Sequence, residues 1–227
     1  MKNRYRLAAF IIVLLCCATQ GGVMTVQAEE IVTLPPPRLT GQLSIEQALR
    51  QRRSIREYQD VEIRLTDLGQ LLWAAQGITH SQGMRTTPSA GALYPLELYI
   101  VVGRVEGLAA GTYHYVPEQH RLEKTGDKDK RNELSRAALF QPSVKNAAAV
   151  LVIAAVYERT AAKYGERAER YVHMEVGHAA QNVYLQAESL GLATVMMGAF
   201  YDEMVAKTLY LPEEVKPLAL MPLGRKK

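Results

Sequence analysis

The sequence predicts an α+β fold, a mixed β-sheet flanked by helices with one long central helix, and three observations carry that expectation. Two apolar, β-branched runs, residues 96–102 and 150–156, read as buried strands. Between about residues 166 and 190, Ala168, Tyr171, Val172, Val176, Ala179, Ala180, Val183, Ala187 and Leu190 recur at a helical period and predict the longest helix. Residues 113–116 and 120–124, joined by Pro-Glu-Gln, read as a surface hairpin, so helices separate only some of the strands. With 227 residues, 48% hydrophobic and 22% charged, the chain can bury a real core, and fibrous or wholly disordered classes are excluded.

In chain order, residues 1–28 read as a secretory signal peptide. Lys2, Arg4 and Arg6 precede an apolar run from Leu7 to Ala18, and Val26-Gln27-Ala28 supplies small residues for cleavage after Ala28. An uncleaved anchor is the rival, but the run is shorter than the roughly 20 residues that span a bilayer. Removing the leader takes the formal charge from +4 to +1 and removes both cysteines, Cys16 and Cys17. The mature protein would then have no disulfide, no thiolate nucleophile and no Cys-based metal site. The expected place of action is extracytoplasmic, with no membrane attachment after cleavage and no nucleic-acid partner.

Residues 29–43 contain Pro35-Pro36-Pro37 and read as an extended linker. A domain follows at 44–227. Ser44 and Gln47 form a capping box that starts a helix, which is expected to run into Arg52-Arg53-Ser54-Ile55-Arg56. A second helix is expected at 66–76, stopped by Gly77. Residues 77–95 are too rich in Gly, Ser, Thr and Pro for regular structure. Further strands are expected at 193–197 and 218–223, and Gly191 should end the long helix as a left-handed cap.

Four places could carry chemistry. Arg52, Arg53, Ser54 and Arg56 would put three guanidinium forks and a hydroxyl within one helical turn, which suits a phosphate or simply a solvated basic helix end. Arg225-Lys226-Lys227 could fold back beside them or trail as a basic tail. The loop Thr86-Thr87-Pro88-Ser89-Ala90-Gly91-Ala92-Leu93-Tyr94-Pro95 has side chains small enough for a flat ligand to approach the backbone, or for tight turns alone. Lys163-Tyr164-Gly165 reads as a polar loop that is either solvent-facing or a proton-transfer site. Glu175 and His178 share a helix face, but too few further ligands accompany them for a metal, and His178 reads as a packed, hydrogen-bonded residue. No Walker pattern, dinucleotide fingerprint or nucleophile elbow is present.

The stretches RRSIREY (52–58), RTTPSAGALYPLELYIVV (85–102), KYGERAERYVHMEVGHAAQNVYLQAESLGL (163–192) and MPLGR (221–225) together resemble the nitroreductase-like flavoprotein family. Within it they are most similar to the SagB-type dehydrogenases, which include azoline-forming oxidases. The resemblance implies FMN at the interface of a homodimer. Arg52, Arg53, Ser54, Arg56 and Arg225 would grip the phosphate, and Pro88, Ser89, Ala90, Gly91 and Leu93 would lie against the ring. Met197, Gly198 and Ala199 would bring a backbone N–H near flavin N5. Lys163 and Tyr164 match the pair that takes a proton while flavin accepts a hydride.

The leader lacks a twin-arginine pair, so a Sec-type route would thread the chain unfolded and FMN would be loaded after export. NAD(P)H is the candidate electron donor but is scarce outside the cytoplasm. Two other functions stay open at this point: a broad NAD(P)H-dependent nitro or quinone reductase, for which Lys163 and Tyr164 are dispensable, and a flavin-binding protein without turnover.

Overall fold

The computed structural model describes residues 30–227; the signal-peptide assignment lies outside the described residues. Seven strands form one sheet: β1 (Ile31–Thr33), β2 (Leu96–Val102), β3 (Gly111–Val116), β4 (Arg121–Gly126), β5 (Ala149–Val156), β6 (Leu192–Thr194) and β7 (Val215–Arg225). Their spatial order is β1-β4-β3-β2-β5-β7-β6. Every ladder between them is antiparallel, where the sequence suggested a mixed sheet. Among the described residues, parallel pairing is confined to the single bridge Ile63–Val105.

The helices are α1 (Ile45–Gln51), α2 (Leu65–Gln76), α3 (Arg131–Ala137), α4 (Pro142–Asn146), α5 (Tyr157–Tyr164), α6 (Ala168–Ser189) and α7 (Asp202–Leu209). Along β5, Leu151, Ile153 and Ala155 face the layer built by α2 and α6, while Val150, Val152 and Ala154 face the opposite cluster containing Leu134, Val144 and Val205 of α3, α4 and α7. Both sides of a central strand are therefore buried, which explains an unbroken apolar run instead of alternation. The hairpin β3–β4 is also internal: Tyr113, Tyr115 and Leu122 are at most 1% exposed, so it is a core element and not a surface one.

α1 begins at the expected capping box, with Ser44 and Gln47 satisfying each other's backbone N–H groups. It stops one residue before the basic cluster. Arg52 already has extended dihedrals (φ −51°, ψ 132°), so Arg52 to Arg56 are not helical. α2 ends at Gly77, whose φ is −65°; glycine is needed there because a Cβ would lie 2.1 Å from the Trp73 ring. α6 ends at Gly191 in the left-handed conformation, φ 66°.

The stretch read as a linker is extended but docked. Ile31–Thr33 pairs with β4, Leu34 is 3% exposed, and Leu34 Cβ lies 3.5 Å from where a Cβ of Gly69 in α2 would stand. The Leu34 N–H donates to the His120 carbonyl at 3.1 Å, and the Arg38 N–H donates to Gln70 Oε1 at 2.8 Å. A triproline segment cannot be a helix, but its fixed φ suits a strap laid across a helix layer. Leu34→Ala is expected to destabilise the protein by about 2–3 kcal/mol in urea unfolding, because a buried side chain is removed. A free spacer at this position would leave the midpoint unchanged.

Candidate functional site

The expected site residues fall into two groups on the two flanks of α6. The first group is the basic segment. Arg52 is half-buried with its guanidinium carbon 5.2 Å from the centre of the Tyr184 ring, and its Nε is buried without a partner. Arg53, Ser54 and Arg56 are exposed, and Arg53 Nη1 caps the carbonyls of Arg50 and Arg52 at 3.0 and 2.8 Å. Ser54 Oγ lies 2.9 Å from the Tyr184 hydroxyl, which also accepts the Met196 N–H at 2.7 Å. Tyr184 thus ties the basic segment to Met197, Gly198 and Ala199.

Of those three, Met197 is buried and spends its N–H on the Leu220 carbonyl at 2.9 Å. The exposed Gly198 and Ala199 present the backbone of this segment to solvent. The Ile55 N–H donates to Thr194 and the Gln59 N–H to Arg225, so residues 55–59 run beside the ends of β6 and β7. Arg225 therefore sits along the same edge as Arg56. Its guanidinium, however, is turned to Asp67 (3.6 Å) and to the Leu190 carbonyl (3.4 Å). Asp67 is fully buried and held by both Nε and Nη2 of Arg64 at 2.9 and 2.8 Å, so its pairing does not depend on Arg225. Lys226 and Lys227 are paired with Glu188 and Glu57, which fixes the terminal residues against the domain.

The second group is the loop after α2. Gly91 has φ 64°, which glycine adopts without cost, and Ala92 and Tyr94 are also left-handed at 55° and 46°, where a Cβ makes the backbone strained. Pro88 is exposed and Leu93 half-buried. Ser89 Oγ accepts the Tyr94 N–H at 2.9 Å, and Glu175 Oε1 accepts the Ala90 N–H at 2.9 Å. A Cβ on Gly91 would stand 3.0 Å from both Lys163 Nζ and the Tyr164 hydroxyl. The loop and the Lys-Tyr pair are therefore one constellation, although some 70 residues separate them in sequence.

Lys163 and Tyr164 occupy the last turn of α5 and not a loop; Gly165 (φ 53°) breaks the chain just after them. α5 is anchored at its start. Arg159 is ion-paired to Glu97 of β2 and donates to the Tyr94 carbonyl at 3.2 Å, while the Tyr157 hydroxyl meets His173 Nε2 at 2.7 Å. Tyr164 packs edge-on against Tyr171 of α6, with ring centres 5.0 Å apart.

Glu175 was not among the expected site residues, yet it is 3% exposed and braces the loop from below. Burial raises its carboxyl above the usual 4.5, opposed by hydrogen bonds from the Ala90 N–H and the Ser89 side chain. His178 is exposed instead of packed, and among the described residues no cluster of His, Cys, Asp and Glu could hold a metal. Tyr184 was missed as well, since a tyrosine on a long helix has no distinctive spacing.

The profile of the nitroreductase family matches residues 49–225. The chain belongs to the nitroreductase family. A Methanocaldococcus jannaschii protein named as a nitroreductase is 50% identical over 185 residues, covering 82% of this chain and 92% of that protein. The microcin B17-processing protein McbC of Escherichia coli is 33% identical over 147 residues, 62% of this chain and 54% of its own length. A Ralstonia eutropha crystal structure, also named as a nitroreductase, superposes with a TM-score of 0.77 at 30% identity, covering 87% of this chain and 90% of that one. The Escherichia coli microcin synthetase McbBCD complex shares the fold at a TM-score of 0.67 and 24% identity, over 95% of this chain and 85% of that chain.

Family members typically bind FMN, and the residues present fit that group. The orphaned Nε of Arg52, the exposed Arg56 and the donors of Arg53 other than Nη1 can serve a phosphate, and Gly91 leaves a cradle that a side chain would fill.

A carboxyl whose pKa is raised on folding binds protons more readily in the native state, so stability falls as pH climbs from the unfolded value through the folded one. Glu175→Gln keeps an acceptor for Ala90 but cannot ionise. Over about pH 4 to 8, the wild-type urea midpoint should fall relative to that of Glu175→Gln as pH rises. A constant difference between the two would show that Glu175 is not titrating from a buried position.

Proposed function

We propose that this nitroreductase-family oxidoreductase is an FMN-dependent dehydrogenase of the SagB type, in which Lys163 and Tyr164 handle a substrate proton. The single observation that carries the reading is the approach of Lys163 Nζ and the Tyr164 hydroxyl to Gly91, in the loop expected to face the ring. When bound, FMN supplies hydride exchange at its N5 position. Every other task falls to side chains and backbone of this chain.

Arg52, Arg53, Ser54 and Arg56 hold the phosphate as paired donors from a non-helical segment. Arg225 joins them on leaving Asp67. The backbone N–H groups of Gly198 and Ala199 would be the ones available to the ring, since that of Met197 is spent. Lys163 and Tyr164 hold or accept a proton at Nζ and at the phenol oxygen, side by side on the last turn of a helix that Glu97 and His173 anchor. Gly91 keeps that space open.

The geometry of α6 supports a homodimer. Glu175 braces the loop group and Tyr184 the phosphate group, nine residues apart on one helix. Nine residues amount to about 14 Å of rise and half a rotation, which puts the two groups on opposite flanks. In this reading a ring held on the Tyr184 flank faces away from the loop group of its own chain, and a second copy supplies that group. The substrate is a small molecule or a peptide. Export through the leader at residues 1–28 stays part of the reading, with NAD(P)H as the donor only where it is available.

Replacing Lys163 by Ala or Tyr164 by Phe should lower turnover by about a hundredfold or more, the ordinary scale for a lost acid–base group, while the visible spectrum of bound flavin stays the same. Unchanged turnover would favour a broad nitro or quinone reductase, and a wild-type protein that turns over with no donor would leave flavin binding alone. Gly91→Ala should likewise cost about a hundredfold, because the added methyl meets both reacting groups and its left-handed φ is strained.

A further inference from the structure

The Tyr184 hydroxyl joins three elements that are distant in sequence, and the direction of its hydrogen bonds is constrained. The Met196 N–H can only donate, and it reaches the phenol oxygen at 2.7 Å. That occupies one lone pair and leaves the phenol its own hydrogen. Ser54 Oγ stands 2.9 Å away. If Ser54 donated to the phenol, the Tyr184 hydrogen would have no protein partner among the described residues and the serine hydrogen would be spent inside the protein. If Tyr184 donates to Ser54, every group is satisfied and the serine hydrogen is released outward.

Ser54 is exposed and flanked by Arg53 and Arg56, and the Arg52 guanidinium lies over the Tyr184 ring at 5.2 Å. The outward hydrogen therefore enters a cationic setting, where it is placed to donate to an anion drawn there by the arginines. A chain running N–H to phenol to serine polarises each successive donor, so the last one is strengthened.

We propose that Tyr184 is a positioning residue that makes the site selective for a phosphorylated flavin, by turning the Ser54 hydroxyl outward as a donor. The inference rests on the reading that the Arg52–Arg56 segment holds the FMN phosphate. Riboflavin carries the same ring without the phosphate, so it has no use for the Ser54 hydrogen. Any effect of Tyr184 on the ring end, through Met196, acts on both flavins alike. The ratio of the two affinities therefore reports the phosphate path alone.

The test is a fluorescence-quenching titration of the flavin-free protein with FMN and with riboflavin. Wild type should bind FMN more tightly. Tyr184→Phe keeps the ring under Arg52 but removes the hydroxyl, and should lower the FMN-to-riboflavin ratio by about fivefold to tenfold, the scale of one weakened charge-assisted hydrogen bond. Ser54→Ala should lower it similarly, and the double variant should go no further. A ratio unchanged in Tyr184→Phe, in a protein that still prefers FMN, would overturn the role of Tyr184. Additive losses in the double variant would overturn the route through Ser54. A wild-type protein indifferent to the phosphate would overturn the phosphate site itself. Should Tyr184→Phe fail to fold, Ser54→Ala still decides the route, because Ser54 is exposed and an unchanged ratio there would refute it.

Discussion

Burial of β2, β5 and β7 on both faces is the constraint from which the rest of the molecule follows. A sheet whose central strands are apolar on both sides must carry helices on both sides. One of those helices, α6, presses Val172, Val176, Ala179, Ala180, Val183 and Ala187 into the sheet layer. With that stripe committed, its two flanks are fixed in direction. Glu175 emerges on one flank and Tyr184 on the other, and each meets a segment that has little regular structure of its own. The loops of the candidate site are thus shaped by a rigid element that they do not contain.

Electrostatic order follows the same plan. Asp67 is buried within reach of Arg38, Arg64 and Arg225, a carboxylate that would be costly without them. Its bidentate bond to Arg64 secures α2 at its first turn, while Arg225 at 3.6 Å and Arg38 at 3.8 Å are more loosely held. Among the described residues, the arginines of segment 52–56 have no such acidic partner, and the neighbouring Glu57 is paired to Lys227. Positive charge is therefore neutralised where it serves the fold and left unspent where an anion is expected.

Much of this was legible in the sequence where one physical signal dominated. The runs at 96–102 and 150–156 became β2 and β5 within a residue, because burial on both faces leaves no room for polar interruption. The capping box at Ser44 and the left-handed cap at Gly191 were visible because each depends on local backbone chemistry alone. α5 was invisible: YERTAAKY is mostly polar, ends at a glycine, and is held by single contacts from Arg159 and Tyr157. The residues that bring the site together, Glu175 and Tyr184, could not be read from spacing. A glutamate or tyrosine on a long helix acquires meaning only from what lies across from it. The basic segment was recognised as chemistry but drawn in the wrong shape, since the helix ends at Gln51 and does not run into the cluster.

The strap of residues 31–38 also bears on how copies of the protein can meet. β1 and β6, the two outermost strands, are three residues long each. β1 runs directly into consecutive prolines that cannot donate to a neighbour, and Ile55 covers part of β6 by donating to Thr194. Neither margin offers a long row of free amides onto which another chain could be zippered. Growth of the sheet from molecule to molecule is closed off at both ends, and assembly is left to helical and loop surfaces.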